Sequence, residues 1–186
     1  TSYAEDLVTK FYDNKSALQG LKDALLRNPN NKNLKEAVDI APEDHSSAYL
    51  GYFSLVKSNL EEPMTTHSDH YNSNYAYSVA AYSKGQVFME QLGYIVGAAA
   101  RDKILLEYYK KWRFKHPNAN DFMRVAEDVS GLQLDWYNEY WVHTTKTIDY
   151  KIDSLWEENG ISRIRLKRIG HMPMPIDLQL TFTDGS

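Results

Sequence analysis

The stretch from Tyr77 to Gly97, YSVAAYSKGQVFMEQLGYIVG, decides the expected fold. From Ser78 onward its small and apolar residues recur every three or four positions, which predicts a helix that ends at Gly97. One stripe of that helix holds Ala81, Gly85, Phe88, Leu92 and Ile95. The small residues at the first two of these positions would let another backbone approach closely. We therefore expect a helical core built around this segment.

Helical spacing continues on both sides of this stretch. The other predicted helices cover residues 1–13, 16–26, 102–114, 120–129 and 134–142, together with a segment that begins at Pro42 and ends at Pro63. Asn120 is expected to cap the helix that Gly131 ends. Residues 64–74 have no periodicity and predict an ordered loop, since they lack the composition of a linker. A helical domain is therefore expected over residues 1–147.

After Thr147 the apolar period changes from 3.6 to 2, which is typical of strands. Asn159-Gly160 predicts a two-residue hairpin turn between two strands. Residues 172–175, Met-Pro-Met-Pro, interrupt the pairing, and residues 176–182 then alternate as a further strand. The predicted fold class is thus mainly α with a small C-terminal antiparallel β module, residues 148–186, which we interpret as truncated and β-sandwich-like.

Composition narrows the function classes. The chain has 186 residues, 42% of them hydrophobic, and a formal net charge of −4, which is ordinary for a globular protein that buries a sizeable core. No basic stripe is present, so we expect no nucleic-acid partner. The longest apolar run, residues 94–100, is far shorter than the roughly 20 residues that span a bilayer. The absence of cysteine excludes disulfides and thiolate metal sites within these residues.

Two patterns suggest chemistry but have plainer interpretations. His67-Ser-Asp69-His70 offers metal-ligating side chains, yet a hydrogen-bonded loop cluster lining a cleft fits the three-residue gap between the histidines better. Adjacent carboxylates such as Glu61-Glu62 are interpreted as solvated charges rather than a glycosidase pair. The sequence contains neither a Gly-x-Ser-x-Gly elbow nor a Gly-rich phosphate loop, which counts against those two classes of enzyme.

Tyr77 and Tyr82 lie five residues apart, and Lys84-Gly85 follows the second tyrosine. One interpretation makes both rings ordinary, half-buried core tyrosines. In the other, a phenol at the mouth of a helix, with its backbone held by packing, donates an aimed hydrogen bond to a developing oxyanion. The residues alone leave both interpretations open.

Tyr82-Ser-Lys-Gly85 resembles the Tyr-x-Lys-Gly pattern of the aminopeptidase N family of zinc metallopeptidases, which are gluzincins of the His-Glu-x-x-His type. In that family this tyrosine hydrogen-bonds the oxyanion of the tetrahedral intermediate, and a second family tyrosine falls on Tyr77. The resemblance continues through residues 105–109, 120–122 and 130–134 and at Trp141. It implies a hydrolase whose substrates are peptides, with Tyr82 catalytic and Tyr77 in the cleft wall.

The opening residues are similar to the family segment that follows the third zinc ligand. The resemblance implies that Glu5 orients a zinc-bound histidine from the second shell, and that every zinc ligand lies upstream of Thr1. We therefore expect the chain to be a peptidase fragment that holds no zinc and is inactive without the remainder of its catalytic domain. It should expose both a cut face toward that missing part and an unpaired strand edge near 176–182, and we expect it to self-associate. The alternative is a non-catalytic helical protein-interaction module with a β appendage.

Overall fold

The computed structural model describes residues 3–4, 20–32 and 46–180. These residues are mainly helical and end in a two-stranded antiparallel sheet, as the sequence predicted. The chain divides into two compact units, one that ends at Arg101 and one that begins at Asp102. The domain boundary at residue 147 stays a prediction. Within the described ranges, no helix is both long and apolar enough to cross a membrane.

Residues 20–27 are helical, which confirms the predicted second helix over its described part, residues 20–26, and extends it by one residue. The helices that follow are α1 (Ser46–Ser58), a 3₁₀ turn (Ser68–His70), α2 (Asn74–Val79), a π-helical turn (Ala80–Lys84), α3 (Gly85–Val96) and α4 (Ala98–Trp112). The predicted start at Ser78 is wrong, because the Ser73 hydroxyl accepts the Ala76 N–H at 3.1 Å and begins the helix earlier. The predicted end at Gly97 is confirmed by its φ of 85°.

The π turn changes which face of this helical segment is buried. Its defining hydrogen bond runs from the Gly85 N–H to the Ala80 carbonyl, five residues back, so the turn holds one residue more than an α turn. Ala81, predicted to lie on the buried stripe, is exposed as a result. Buried residues do recur every four positions at Ala76, Ala80, Lys84, Phe88 and Leu92, the last two as predicted. Gln86, Val87 and Gly93 are buried as well. The prediction assumed uninterrupted α geometry.

The π turn packs closely against α1. Leu55 of α1 forms a buried cluster with Ala76 and Ala80. A Cβ added at Gly51 would lie 2.6 Å from the Ser83 Oγ, so the absence of a side chain at Gly51 is what permits this approach. A Cβ at Gly85 would meet its nearest neighbours only at 3.9 Å, an ordinary contact. The close approach predicted at Gly85 therefore occurs at Gly51 instead.

The second unit contains α5 (Ala119–Ser130) and α6 (Asp135–His143). Asn118, not Asn120, caps α5: its Oδ1 accepts the Asp121 N–H at 3.1 Å, and the Asp121 carboxylate accepts the Asn118 N–H at 3.0 Å. The predicted end at Gly131 is confirmed by its φ of 71°. The predicted α6 is also present, with the rings of Tyr137 and Trp141 buried one turn apart.

The predicted hairpin is confirmed as β1 (Tyr150–Glu158) and β2 (Ile161–Arg168), paired antiparallel. Asn159 and Gly160 have φ values of 53° and 74°, as a type I′ turn requires at both central positions. A register irregularity lies between Ile152 and Ser154. The Asn159-Gly160 dipeptide therefore predicted the hairpin and its turn correctly.

The strand predicted at 176–182 is wrong over residues 176–180, which form no strand; residues 181–182 lie outside the described ranges. The backbone just before it is held elsewhere. The Met172 N–H donates to the Thr147 carbonyl at 3.1 Å, and the Tyr150 hydroxyl bridges the Met174 N–H and carbonyl at 3.0 and 3.2 Å. Pro173 and Pro175 offer no N–H to a ladder, so this stretch does not join the sheet.

Candidate functional site around the π turn

Tyr82 lies on the outer side of the π turn. Its side chain is 56% exposed, and its hydroxyl makes no hydrogen bond with the residues that the structure describes. Two other residues of the same turn, Ala80 and Lys84, are fully buried. The turn thus presents a phenol to solvent from a backbone that is fixed on its inner side. The interpretation of Tyr82 as a core tyrosine does not fit this placement.

The inner side of the turn is anchored by a buried ion pair. The Lys84 Nζ donates to the Glu61 Oε1 at 2.7 Å, and the two side chains are only 1% and 7% exposed. The prediction that Glu61 carries a solvated charge is therefore wrong. Two opposite charges withdrawn from water in this way depend on one another, because either one alone would carry its full desolvation penalty.

Tyr52 of α1 completes the surroundings of this ion pair. The Lys84 Nζ lies 6.0 Å from the centroid of the Tyr52 ring, a cation–π distance. Burial raises the pKa of the Tyr52 hydroxyl far above its usual range, and the negative charge of Glu61 raises it further. Tyr52 is therefore a neutral phenol at any physiological pH. The ammonium thus lies close to both a carboxylate and an aromatic ring.

Tyr77, on α2, is 38% exposed and packs edge-on against the ring of Tyr71 with centroids 5.5 Å apart. The Tyr71 hydroxyl donates to the Pro63 carbonyl at 3.1 Å. Burial raises the pKa of Tyr71, and the negative charge of Glu62 raises it further. Tyr77 is therefore half exposed and held from one side by an aromatic neighbour, a placement compatible with the wall of a cleft.

Residues 64–73, before α2, form a loop with one 3₁₀ turn, and carboxylates bind it at two points. Glu61 reaches the π turn through Lys84, while the Glu62 carboxylate accepts the backbone N–H and side-chain amide of Asn72 at 2.9 and 3.1 Å. These contacts close the loop between residues 61 and 72. The adjacent carboxylates thus bind different parts of the first unit instead of forming a catalytic pair.

The histidine motif forms the short 3₁₀ turn. The His67 Nδ1 accepts the Asp69 N–H at 3.3 Å, and the rings of His67 and His70 lie 5.4 Å apart. Both side chains of the His67–Asp69 pair are largely exposed. Over the described ranges, no three His, Cys, Asp or Glu side chains are grouped as metal ligands would be. This geometry favours the loop-cluster interpretation.

Two of the three predicted site residues, Tyr77 and Tyr82, fall on adjoining helical segments, whereas Glu5 lies outside the described residues. Sequence reasoning missed Glu61 and Tyr52. The sequence did contain one indication of them. Lys84 lies four residues from both Ala80 and Phe88 and therefore on the same helix face, and a buried lysine needs an anionic partner. Nothing local identified the partner, which lies 23 residues earlier.

Comparisons of the chain with models of known protein families, with curated proteins and with solved structures found no match. The resemblance to zinc aminopeptidases therefore rests on the Tyr82 motif, on the other matching segments of this sequence, and on their order and spacing along the chain.

Proposed function

We propose that this chain is part of the catalytic domain of a zinc metallo-aminopeptidase, an enzyme that hydrolyses N-terminal residues from peptides. One observation carries the proposal: the tyrosine of the Tyr-Ser-Lys-Gly motif is exposed on a turn whose inner residues are buried. A tyrosine that served only to fill the core would be enclosed, and one that served only solubility would not need a fixed backbone. Aimed donation of a hydrogen bond needs both exposure and fixation.

Tyr82 supplies the hydrogen bond in this proposal. Its phenolic O–H donates to the oxygen of the scissile carbonyl as that oxygen becomes negatively charged. A donor that is already in place costs no reorganisation at the moment of reaction, and removal of one such donor typically lowers kcat by about 10²–10³-fold. Tyr77 forms part of the cleft wall and is held there by Tyr71. Neither tyrosine needs to be ionised for these roles.

Zinc would polarise the carbonyl and activate water in such an enzyme. The residues described in this structure do not fit a zinc site, since no suitable group of three ligands is present among them. Following the resemblance, we assign the ligands to a part of the catalytic domain outside these 186 residues, and we assign Glu5 to the support of one of those ligands. By itself the chain is proposed to be inactive and to bind no zinc tightly.

A specific observation supports the alternative, a protein-interaction module. The hairpin pairs Ile152 with Leu166 and Leu155 with Ile164 across its two strands. Ile152 and Leu155 are largely exposed, as are Leu178 and Leu180 farther along. We infer from these exposed apolar side chains a surface that a partner protein would cover. Self-association of the chain is a proposal on either hypothesis, and light scattering over a range of concentrations tests it.

The assay that tests the enzymatic proposal uses the longer protein that contains this chain. Amide substrates with a free N-terminal amine should be hydrolysed, whereas the same substrates with an acetylated amine should not. A chelator should abolish hydrolysis, and added zinc should restore it. If no free-amine substrate is cleaved by the zinc-loaded protein, the aminopeptidase proposal is wrong and the interaction module is favoured.

A further inference from the structure

We propose that the buried Lys84–Glu61 ion pair is a positioning device: it holds the π turn in register and thereby sets the direction of Tyr82. This inference rests on the proposed function in so far as it concerns catalysis. Lys84 and Glu61 touch neither substrate nor metal in this scheme. They act through Tyr82, which lies two residues before Lys84 on the same turn.

An i→i+5 turn is rare beside an α turn and occurs frequently at functional sites, so something must select it here. If the turn relaxed to α geometry by a shift of one residue, every side chain on it would rotate by roughly 100° about the helix axis. Lys84 would then leave the Glu61 carboxylate, to which it is bonded at 2.7 Å. The ion pair is therefore compatible with the π register and opposes the α register.

The same rotation would redirect Tyr82. Because Lys84 faces inward and Tyr82 faces outward on one rigid turn, their directions are coupled. Misplacement of a catalytic group by about 1 Å can cost about 100-fold in rate. The ion pair thus fixes the direction of the phenol through the backbone of the turn, without contact with the phenol itself.

Packing supports the ion pair at two further positions. Ser83 lies against Gly51, where even a Cβ would not fit without a shift, and Ala80 is enclosed beside Leu55. These contacts resist translation of the turn, but small side chains such as Ser83 and Ala80 resist rotation weakly. Because the long Lys84 side chain is hydrogen-bonded at its far end, it resists rotation of the turn most strongly.

The first experiment concerns the turn alone and needs no catalytic activity. Hydrogen exchange and NMR should be measured on the 186-residue chain with Glu61→Gln, and with Lys110→Met as a control that breaks an exposed pair. We expect the Gly85 amide, which makes the π hydrogen bond, to exchange at least 10-fold faster in Glu61→Gln, and the ring signals of Tyr82 to shift. Unchanged exchange at Gly85 and unchanged Tyr82 signals in the folded variant would overturn the proposal.

A second variant keeps this test decisive if Glu61→Gln unfolds. The double replacement Lys84→Met with Glu61→Leu removes both charges together and should fold, since buried ion pairs are replaceable by apolar side chains of similar volume. If the ion pair selects the register, the Gly85 amide of this variant should still exchange faster than in the wild type. Wild-type exchange in the double variant would show that packing alone holds the turn.

The second experiment separates positioning from mere stabilisation. Kinetics of the longer, zinc-loaded protein should be measured for Glu61→Gln in the wild-type background and in a Tyr82→Phe background. Positioning predicts that Glu61→Gln lowers kcat by about 10- to 100-fold with KM unchanged in the first background, and by less than about twofold in the second. An equal loss in both backgrounds would refute action through Tyr82.

These results also distinguish the two proposals. If Tyr82→Phe alone retains the wild-type kcat, the proposed role of Tyr82 fails, while faster exchange at Gly85 in Glu61→Gln would still establish the hold of the ion pair on the turn. If Tyr82→Phe lowers kcat but Glu61→Gln does not, the proposed function stands and the positioning role is wrong.

Discussion

Lys84→Met is the perturbation whose effect on stability follows most directly from the structure. Methionine keeps most of the aliphatic stem of lysine, so packing is largely retained and the charge is removed. The Glu61 carboxylate, 7% exposed, would then remain buried opposite an uncharged side chain. Removal of one partner of a buried ion pair typically costs about 3–5 kcal/mol, because the other charge is left uncompensated. We expect the first unit to lose stability in that range.

The chain offers a matched control in Lys110→Met. The Lys110 Nζ lies 2.8 Å from the Glu107 Oε1, nearly the distance of the Lys84–Glu61 pair, but both side chains are exposed. Solvent and salt screen such a pair, and its loss should be too small to resolve. The comparison therefore varies burial while distance and chemistry stay constant.

The assay must report on the first unit. All four tryptophans lie after residue 101, so tryptophan fluorescence would follow the second unit. Urea unfolding by far-ultraviolet circular dichroism, with residue-resolved hydrogen exchange in α3, avoids this problem. The double replacement Lys84→Met with Glu61→Leu should recover most of the loss. A loss below about 1 kcal/mol for Lys84→Met, or one equal to that of Lys110→Met, would contradict a mutually dependent buried pair.

Three further predictions concern other parts of the structure. Gly51→Ala should destabilise the chain by about 1 kcal/mol in urea unfolding, because the crowding of the new Cβ outweighs the gain in helix propensity. Gly20→Ala is the control: its Cβ would enter open space, so it should be neutral or stabilising. Equal effects of the two replacements would contradict the close approach of Gly51 to Ser83. Asn118→Ala should lower the unfolding free energy of the second unit by about 1 kcal/mol, because the capping box is lost. Asn120→Ala should lower it by less, since Asn120 only accepts a hydrogen bond from Asn138. The reverse order would show that Asn120 is the cap. The hydrogen bond from Lys110, and then its charge, lowers the pKa of Glu107 below its ordinary value of 4.5, so the small stabilisation from this pair is present above pH 4.5 and is lost as the pH falls through the lowered pKa. An NMR titration should show this midpoint, Lys110→Met should raise it, and an unchanged midpoint in that variant would refute the assigned cause.

Local signals were sufficient where the structure is set by neighbouring residues. Asn159-Gly160 specified the hairpin because both positions need positive φ, and Gly97 and Gly131 ended helices for the same reason. The α5 cap was misplaced by two residues, since Asn118 and Asn120 are equally good caps in isolation. Only the position of Asp121, three residues after Asn118, favoured the former.

The candidate site was predictable in part. The motif identified Tyr82 and Tyr77, and both lie on adjoining segments with exposed rings. The π turn was not predictable from periodicity, because contacts with residues distant in sequence accompany it: Glu61 on a loop and Gly51 on α1. The strand predicted at 176–182 is absent over residues 176–180 for a similar reason, since Tyr150 and Thr147 hold the preceding backbone. Pattern alone cannot report contacts of this kind.

The central claim is that Tyr82 donates a hydrogen bond in the rate-determining chemistry of a peptidase. The most direct test is the kcat of Tyr82→Phe in the proposed longer protein, loaded with zinc, with Tyr109→Phe as a control of similar exposure. Phenylalanine removes only the hydroxyl. We predict that kcat falls by about 10²–10³-fold with KM little changed, while Tyr109→Phe behaves as the wild type. Retention of a near wild-type kcat by Tyr82→Phe would contradict the account.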